Sequence, residues 1–366
     1  MPPTNLRRAR RGALITFLMT AFSLAACGND KGTNGNQEGL SGEAFIFLTD
    51  YQSATLARYQ SSDTSVADVP LLSLHTDVAL RSYSGLLYVI ERFGRDAIRV
   101  IDPKTPSAPL ANYSVGNGTN PQDIIVRDEN TAYVLRLNSA NVLVINPMTG
   151  DSIGAISLAA YADADGKPEM TGGVIEGGKL YVLVQLLDIF WQPTGPGKVV
   201  VIDTRTNQVA STVTLSIQNP LAIVDGEGAL YIVGGPYGDP AHAGIDRVSI
   251  PDGAVTNVAS GAALNGRPTA MEMNDDRNGR AWVLVAKDWP NASVYAVNLS
   301  SGTIADSLSG VVAPSAIARG AGNALLVSDR DMARPGLYLY DAVTGAKLRG
   351  PISTSLPPDA IAFIRR

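Results

Sequence analysis

The sequence has almost none of the residues that build redox or transition-metal sites. It contains one cysteine, Cys27, and two histidines, His75 and His242, in 366 residues. A single cysteine excludes an internal disulfide, so the stability of the fold has to come from packing. It also leaves almost no ligands for a zinc or haem centre built from histidine and cysteine. Phosphate-loop and dinucleotide-binding motifs are absent too, which argues against two common enzyme classes.

The first 27 residues have the pattern of an export signal. A basic segment comes first, with four arginines: Arg7, Arg8, Arg10 and Arg11. The apolar segment that follows, residues 12–26, is too short to span a bilayer. It ends in Leu-Ala-Ala-Cys, which resembles the lipobox of bacterial lipoproteins. The resemblance implies cleavage before Cys27 and attachment of a lipid to Cys27.

The stretch after the cysteine is composed like a linker. Residues 28–42 contain five glycines and almost no apolar side chains, which is typical of a flexible tether. We therefore predict a signal peptide over residues 1–26, a lipidated Cys27 with its tether over 27–43, and one folded domain over 44–366. Gly28 stands where an inner-membrane retention signal carries aspartate, so the lipoprotein resemblance implies the outer membrane of the cell envelope. It leaves open which face of that membrane carries the protein.

The charge pattern points away from nucleic acid. The chain has 29 basic and 34 acidic residues, and the signal removes four arginines and no acid, so the processed chain carries 25 − 34 = −9. A nucleic-acid interface typically needs a stripe of basic residues with aromatic residues between them, and the sequence has no such stripe. The expected partners are the membrane, through the lipid anchor only, and an unknown small molecule or envelope protein.

A stretch near the middle of the chain shows the organisation of the whole domain. Residues 121–158 contain four short apolar runs, and each gap between them holds turn-forming residues such as Asp, Asn, Pro and Gly. Such runs are typical of antiparallel strands, because the gaps leave no room for helices. Four strands in about forty residues is the size of one propeller blade.

The same pattern recurs along the chain. A proline opens the first strand of six segments, at spacings of 44 to 52 residues: Pro121, Pro168, Pro220, Pro268, Pro314 and Pro358. Second strands recur as TAYVLR, KLYVLV and ALYIVG, and third strands as VLVINPMTG, VVVIDTRTN and LYLYDAVTG. A period of this length indicates a repeat architecture.

These residues resemble the YVTN-type β-propeller repeat, with its proline-led first strand, LYV second strand and VID-x-x-T third strand. The resemblance covers roughly residues 45 to 366. It implies an all-β fold, a seven-bladed β-propeller of four-stranded antiparallel blades. It implies little about activity, because propellers of this type carry unrelated functions.

The strand count predicts how the ring closes. Residues 45–74 supply three strands, the last of them over residues 69–74, and six later segments supply four strands each. One strand, residues 359–364, is left over at the carboxyl terminus. We predict that it joins the amino-terminal blade, because a closed ring has no exposed blade edge.

The loops that connect second and third strands are predicted to share one face of the ring. Three of them are long and aromatic, at 187–197, 234–244 and 287–292, so this face is the candidate ligand-binding face. The strongest single candidate is the Phe190-Trp191 pair, since it lies in the middle of its loop. Against this, each aromatic could pack on its own loop and each arginine could be ordinary solvated charge. The candidate ligand contacts are Phe190, Trp191, Tyr237, Trp289, Arg92, Arg136 and Arg330.

Two carboxylates are the candidates for a metal site. Asp77 and Asp123 occupy a position where later blades carry alanine, and both are predicted near the mouth of the central channel. Oxygen ligands of this kind suit calcium. The alternative, favoured here, is that each carboxylate accepts backbone N–H bonds in its own loop. A separate acidic cluster consists of Asp163, Asp165 and Glu169. It lacks the ligand spacing of a calcium loop, so we interpret it as a polar insertion.

The sequence thus favours a non-catalytic, envelope-anchored binding module or scaffold that recognises a small molecule or protein through its loop-rich face. No catalytic residue and no cofactor is assigned. The alternative is a hydrolase or lactonase-type propeller enzyme with calcium at Asp77 and Asp123.

Overall fold

The structure is a computed structural model that describes residues 40–366 except residues 72, 227 and 275–278. The predicted signal peptide, Cys27 and most of the tether lie outside these residues. Within these residues, twenty-eight strands form seven separate four-stranded antiparallel sheets. The fold is therefore the seven-bladed β-propeller that the repeat predicts. Within this described part of the chain, no helix is long and apolar enough to cross a membrane.

Each blade contains four strands, ordered from the central channel outward. Blade 1 combines β28 (Pro358–Arg365) with β1 (Leu40–Thr49), β2 (Ala54–Gln60) and β3 (Ala67–Val69). The strands of blades 2 to 4 are β4 (Val78–Tyr83), β5 (Leu86–Glu91), β6 (Ala97–Ile101), β7 (Ala111–Ser114), β8 (Pro121–Asp128), β9 (Thr131–Arg136), β10 (Asn141–Ile145), β11 (Ser152–Ser157), β12 (Met170–Glu176), β13 (Lys179–Val184), β14 (Pro196–Asp203) and β15 (Gln208–Gln218).

The remaining blades follow the same order. The strands of blades 5 to 7 are β16 (Pro220–Gly226), β17 (Ala229–Gly234), β18 (Gly244–Ser249), β19 (Val255–Ser260), β20 (Arg267–Met273), β21 (Arg280–Ala286), β22 (Ala292–Asn298), β23 (Ile304–Ser307), β24 (Pro314–Arg319), β25 (Ala324–Asp329), β26 (Gly336–Asp341) and β27 (Lys347–Ser353). A 3-10 turn (Ala159–Tyr161) and a one-turn helix (Gly261–Leu264) are the helical elements of the described residues.

The ring closes through the carboxyl-terminal strand, as predicted. β28 pairs antiparallel with β1, so that Phe45 faces Ala362 and Phe47 faces Ala360 in the register. β28 thereby becomes the innermost strand of blade 1. The pairing extends to Leu40 opposite Arg365, so the first strand begins four residues before the predicted domain boundary.

The third strand of blade 1 lies earlier than predicted. β3 pairs with β2 only through Ala67 to Val69, and it ends directly before Pro70. The prediction of a strand over residues 69–74 is wrong, because proline has no amide hydrogen with which to continue a ladder. The chain beyond it leaves the sheet, and Leu71 and Leu74 pack as partly buried residues against the core between blades 1 and 2.

Among the residues that the structure describes, the core consists of seven apolar clusters, one between each pair of successive blades. β1 shows how one strand serves two of them. Ile46 and Leu48 pack between blades 7 and 1, whereas Phe45 and Phe47 pack between blades 1 and 2. Successive side chains of a strand point to opposite faces, so a strand that is buried on both faces has to be apolar almost throughout.

The recurring Asp or Asn at the end of the third strands has a structural role. Asp203 Oδ1 accepts hydrogen bonds from the backbone N–H groups of Arg205 and Thr206, at 2.9 Å each. Asn146 and Asp341 do the same for the turns that follow them. Side chains of this type mimic a backbone turn. The VID-x-x-T motif therefore builds the tight turns of the face opposite the long loops.

Candidate functional site: a cleft on the loop-rich face

The loops between second and third strands do share one face of the propeller, as predicted, and we call it the loop-rich face. Most of the exposed large apolar side chains lie there, on these loops or on a link between blades: Tyr51, Phe93, Ile189, Phe190, Trp191, Tyr237, Trp289, Val312 and Met332. Soluble proteins rarely concentrate exposed apolar surface in this way without an interaction to explain it. The loop-rich face is thus the candidate interaction surface.

A cleft opens on this face where blades 5, 6, 7 and 1 meet, and we call it the ligand cleft. It is open to solvent and has a volume of about 60 Å³, well below the range of about 300–1,000 Å³ of enclosed small-molecule sites, so a ligand would rest on a shallow surface rather than inside a pocket. Three aromatic residues line it, one from each of three blades: Tyr51, Tyr237 and Trp289. Two of the predicted aromatic contacts, Tyr237 and Trp289, are thereby brought together, and so is the predicted Arg330.

Arginines hold two of the aromatic rings. The Arg330 guanidinium lies 4.7 Å from the centroid of the Tyr51 ring, and that of Arg267 lies 5.8 Å from the Tyr237 ring. Contacts of this kind are attractive because the face of an aromatic ring is electron-rich. Burial lowers the pKa of Arg267 to about 10, so it remains a cation at neutral pH. Trp289 is half exposed, so its indole is accessible from solvent.

A buried ion pair forms part of the cleft lining. Arg330 Nη1 donates to Asp359 Oδ1, and Arg330 Nη2 donates to the carbonyl of Thr49 at 3.2 Å. Burial raises the pKa of the Asp359 carboxyl, and the Arg330 charge opposes that shift. The second oxygen, Asp359 Oδ2, is buried and receives no hydrogen bond from the described residues. A buried acceptor without a hydrogen-bond donor lowers the stability of the folded protein.

Three polar residues of the cleft share a position in the repeat. Thr269, Ser315 and Asp359 each come directly after the proline that opens a blade, in blades 6, 7 and 1. None of the three was predicted as a site residue from the sequence. The repeat register held the necessary signal, because equivalent positions of adjacent first strands have to lie side by side around the channel mouth.

The two predicted metal ligands are each held by a separate arginine. Asp77 Oδ1 accepts from Arg92 Nε at 2.7 Å, and Asp123 Oδ2 accepts from Arg81 Nη2 at 3.1 Å and from the Gly173 amide at 3.2 Å. Considering only residues the structure describes, no group of three or more His, Cys, Asp or Glu side chains is arranged to hold a metal ion. Calcium at these carboxylates stays a prediction.

Two of the three predicted arginines bind protein groups away from the cleft. Arg92 is buried, and besides Asp77 it donates to the side-chain carbonyl of Gln122 at 3.3 Å. Arg136 donates to the carbonyls of Val115 and Asn141, at 3.0 and 3.2 Å. These contacts tie neighbouring loops together. Their proposed role in ligand binding stays a prediction.

Phe190 and Trp191 lie outside the lining of the ligand cleft, on the long loop of blade 4. With Ile189, which was not predicted, they form an exposed apolar tip; Ile189 is 74% exposed and Phe190 67%. The tip has a defined shape because Asp188 Oδ1 accepts from the backbone N–H groups of Phe190 and Gln192, at 2.8 and 2.9 Å. The structure thus separates the predicted aromatic set into a cleft and a tip.

The acidic insertion braces the loop that carries the apolar tip. Glu169 is buried, and its Oε2 accepts from the backbone N–H of Leu187 at 2.9 Å. Asp163 accepts from the Thr194 hydroxyl at 2.8 Å on the other side of the same loop. Burial raises the pKa of Glu169 to about 7; Asp165 and Asp163 add to the shift, whereas the Leu187 N–H and Lys167 oppose it.

Glu169 is expected to make the fold less stable as the pH rises. The pKa of Glu169 is about 7 in the folded state and 4.5 ordinarily. The protonated Glu169 side chain therefore contributes fully to folding stability below about pH 4.5, and this contribution is lost as the pH rises through about 7. A shift of this size corresponds to about 3 kcal/mol. Glu169→Gln, which is neutral throughout, is expected to match the parent at pH 4 and to exceed it by about that amount above pH 7.

Denaturant titrations of both proteins across this pH range measure the difference directly. Glu129→Gln removes an exposed carboxylate from a turn on the opposite face and serves as the matched control, with no comparable pH-dependent gain. If Glu169→Gln and the parent keep a constant difference from pH 4 to pH 8, Glu169 does not titrate as described.

Comparison with known proteins agrees with the architecture and goes no further. No protein-family model matches the sequence, and no curated protein sequence matches it. Similar solved structures include a provisionally assigned 6-phosphogluconolactonase from Bacteroides fragilis, at 12% identity and a TM-score of 0.64 over 88% of this chain and 97% of that one. The chain is a seven-bladed β-propeller.

Two further structures show how widely this propeller fold is used. AztD from Citrobacter koseri is 13% identical, with a TM-score of 0.57 over 88% of this chain and 98% of its own. A streptogramin B lyase is 14% identical, with a TM-score of 0.59 over 79% and 89%. At such identities the likeness shows the fold alone, and function has to be argued from the site.

Proposed function

We propose that this propeller is a binding module of the cell envelope that holds a small molecule in the ligand cleft. The observation that carries the proposal is the convergence of Tyr51, Tyr237 and Trp289 with the buried Arg330–Asp359 pair in one cleft. Rigid aromatic walls supply contact area, and a few fixed polar groups supply orientation. This combination is what recognition without chemistry requires.

The position of the amino terminus supports an anchored arrangement with the cleft turned outward. β1 runs from Leu40 to Thr49 and leads into the loop that carries Tyr51 on the loop-rich face. Its start therefore lies at the opposite face. In our proposal the lipid on Cys27 and the tether hold that opposite face towards the outer membrane, and the ligand cleft points away from it.

Three tryptophans at different places make the proposal testable by nuclear magnetic resonance. Trp289 lines the cleft, Trp191 lies on the apolar tip, and Trp282 is buried with its indole N–H donating to the Ala342 carbonyl at 2.7 Å. We expect a ligand found by screening envelope small molecules to shift the Trp289 indole signal and leave Trp282 unchanged. Trp289→Ala is expected to weaken binding about tenfold or more, or roughly 1.4 kcal/mol.

Phe190→Ala is the matched control, because it removes an exposed aromatic on the same face but outside the cleft. Equal losses of affinity in Trp289→Ala and Phe190→Ala would contradict a site in the cleft. A second candidate function is that of a scaffold that binds a protein partner at the apolar tip. The exposure of the apolar side chains at the tip favours this function, because exposed apolar patches are typical of protein interfaces. That function predicts a shift of the Trp191 signal in the presence of a partner, with Trp289 unaffected.

A further inference from the structure

The outer strand of blade 4 differs from the outer strands of the other blades. β15 has 11 residues, whereas the outermost strands of the other blades have 3 to 7. An open blade edge carries unpaired backbone N–H and C=O groups, and proteins usually protect such edges with short strands, charged side chains or proline. The outer strand of blade 7, for example, contains Lys347, Arg349 and Pro351. β15 is long and contains no charged residue and no proline.

The protein holds β15 in a defined shape. At its carboxyl end, Asp246 Oδ2 accepts hydrogen bonds from the backbone N–H groups of Ser216 and Ile217, at 2.6 and 3.2 Å. Before that end, residues 211–214 pair without interruption with residues 198–201 of β14, and a register shift lies on either side of this stretch. Residues 211–214 therefore form a regular piece of open edge.

The side chains along this edge suit pairing with another strand. Ser211, Thr212 and Thr214 are exposed, and Val213 is half-buried against the core cluster between blades 4 and 5. Valine and threonine favour extended strands, and threonine hydroxyls form hydrogen bonds across paired strands. In the part of the chain that the structure describes, no strand pairs with the outer edge of β15. The edge can thus accept one more strand.

The sequence of β15 is compatible with pairing to itself. In an antiparallel pair of identical strands, the register centred on Val213 places Thr212 opposite Thr214 of the second copy. The same register places Gln208 opposite Gln218. Like charges directly opposite each other destabilise a strand pair, and residues 208–218 carry no charge. Nothing in the strand therefore opposes its association with a second copy.

The charges just beyond the two ends of β15 are complementary. Arg205 is exposed in the turn before the strand, and Asp203 in that turn is held by backbone N–H groups of the turn itself. At the other end, the Gln218 amide donates to the His242 carbonyl at 3.0 Å, and exposed Asp239 lies on the same loop as His242. Antiparallel pairing brings the Arg205 end of each copy next to the Asp239 end of the other.

We infer that two copies of this chain associate through β15, antiparallel and two-fold, so that their fourth blades form one continuous sheet. This pairing removes an open edge from each copy, whereas a strand of another protein would leave a new edge on its outer side. A two-fold contact uses the same surface on both copies, so the assembly closes at two. The inference is independent of the proposed function, because β15 lies in blade 4 and the ligand cleft lies among blades 5, 6, 7 and 1.

The test measures the mass of the processed chain by analytical ultracentrifugation over a range of concentrations. The chain carries Cys27→Ser, so that neither a lipid nor a disulfide between copies contributes. We expect dimers that dissociate on dilution from about 1 mM to about 1 μM. Thr212→Lys combined with Thr214→Lys places lysine opposite lysine in the dimer and is expected to raise the dissociation constant about tenfold or more. Thr212→Glu combined with Thr214→Glu is expected to do the same.

Mixing the two double variants tests the register. Each lysine then lies opposite a glutamate, so mixed dimers are expected to form at least as tightly as those of the parent. Recovery on mixing also shows that both variants are folded. Thr256→Lys is the matched control, because Thr256 is exposed on the shorter outer strand of blade 5. This substitution should leave the dissociation constant unchanged.

Three results would overturn the inference. A parent chain that stays monomeric at about 1 mM has no such interface. Dimers that persist in both double variants would place the contact elsewhere on the molecule. A mixture of the two variants that stays monomeric would exclude the register centred on Val213. None of these results bears on the binding of a ligand beside Trp289, which is measured separately.

Discussion

Removal of residues 358–366 is expected to abolish cooperative folding of the whole propeller. β28 is the innermost strand of blade 1, and its residues from Ala360 to Ile364 are buried. Without it β1 loses one hydrogen-bonded neighbour, and the clusters on both sides of blade 1 are opened to water. An open strand edge of this length also favours aggregation. Circular dichroism and thermal melting of the shortened chain should show no cooperative transition, or the chain should not stay soluble.

The control removes only Arg366. Its side chain is 65% exposed and lies 3.5 Å from Glu43, and exposed ion pairs contribute about 0–1 kcal/mol. A synthetic peptide of residues 357–366, added to the shortened chain, is expected to restore part of the transition. Ring closure by β28 would not be the source of stability if the shortened chain melted cooperatively at the parent temperature.

Replacing Arg330 by methionine is expected to lower the free energy of unfolding by about 3–5 kcal/mol. The reason lies in Asp359, whose side chain is 3% exposed and whose charge Arg330 compensates. Without Arg330 the carboxylate stays buried with no cation bonded to it. Chemical denaturation of the variant measures the loss.

A second substitution identifies the cause of that loss. Arg330→Met combined with Asp359→Leu removes both charges and is expected to recover a large part of the stability, because a matched apolar pair costs less than one unpaired buried charge. Arg95→Met is the surface control; its side chain is 44% exposed and lies 3.8 Å from Glu91, so the expected loss is about 0–1 kcal/mol. Similar losses for Arg330→Met and Arg95→Met would count against a buried ion pair.

The architecture could be predicted because the same strand pattern recurs at a nearly constant spacing along the chain. Pro220, Pro314 and Pro358 each begin an inner strand in the structure, as their spacing predicts. The turn residues Asn146, Asp203 and Asp341 accept hydrogen bonds from backbone N–H groups only a few residues further along the chain. Turns formed by such local contacts can be predicted from sequence. The error at residues 69–74 arose where apolar composition suggested a strand that Pro70 does not continue.

The candidate site was predictable only in part. Tyr237, Trp289 and Arg330 were named because they lie on the loop-rich face, and that face follows from strand polarity alone. Phe190 and Trp191 satisfied the same criterion and yet lie outside the cleft. The composition of a loop indicates that its side chains are exposed, but it does not indicate which neighbouring blade each side chain contacts.

The sequence by itself determined the seven blades, their closure by the terminal strand and the face that carries the long loops, because these follow from periodicity and chain direction. Only the tertiary structure decided that Asp359 pairs with Arg330, that Asp77 and Asp123 pair with different arginines, and that one cleft forms between blades 5, 6, 7 and 1. The physical reason is separation along the chain. The three ion pairs join residues 29, 15 and 42 positions apart on different strands or loops, and the cleft brings Tyr51 near Asp359. Which of these side chains meet depends on the packing of whole blades, which no local pattern encodes.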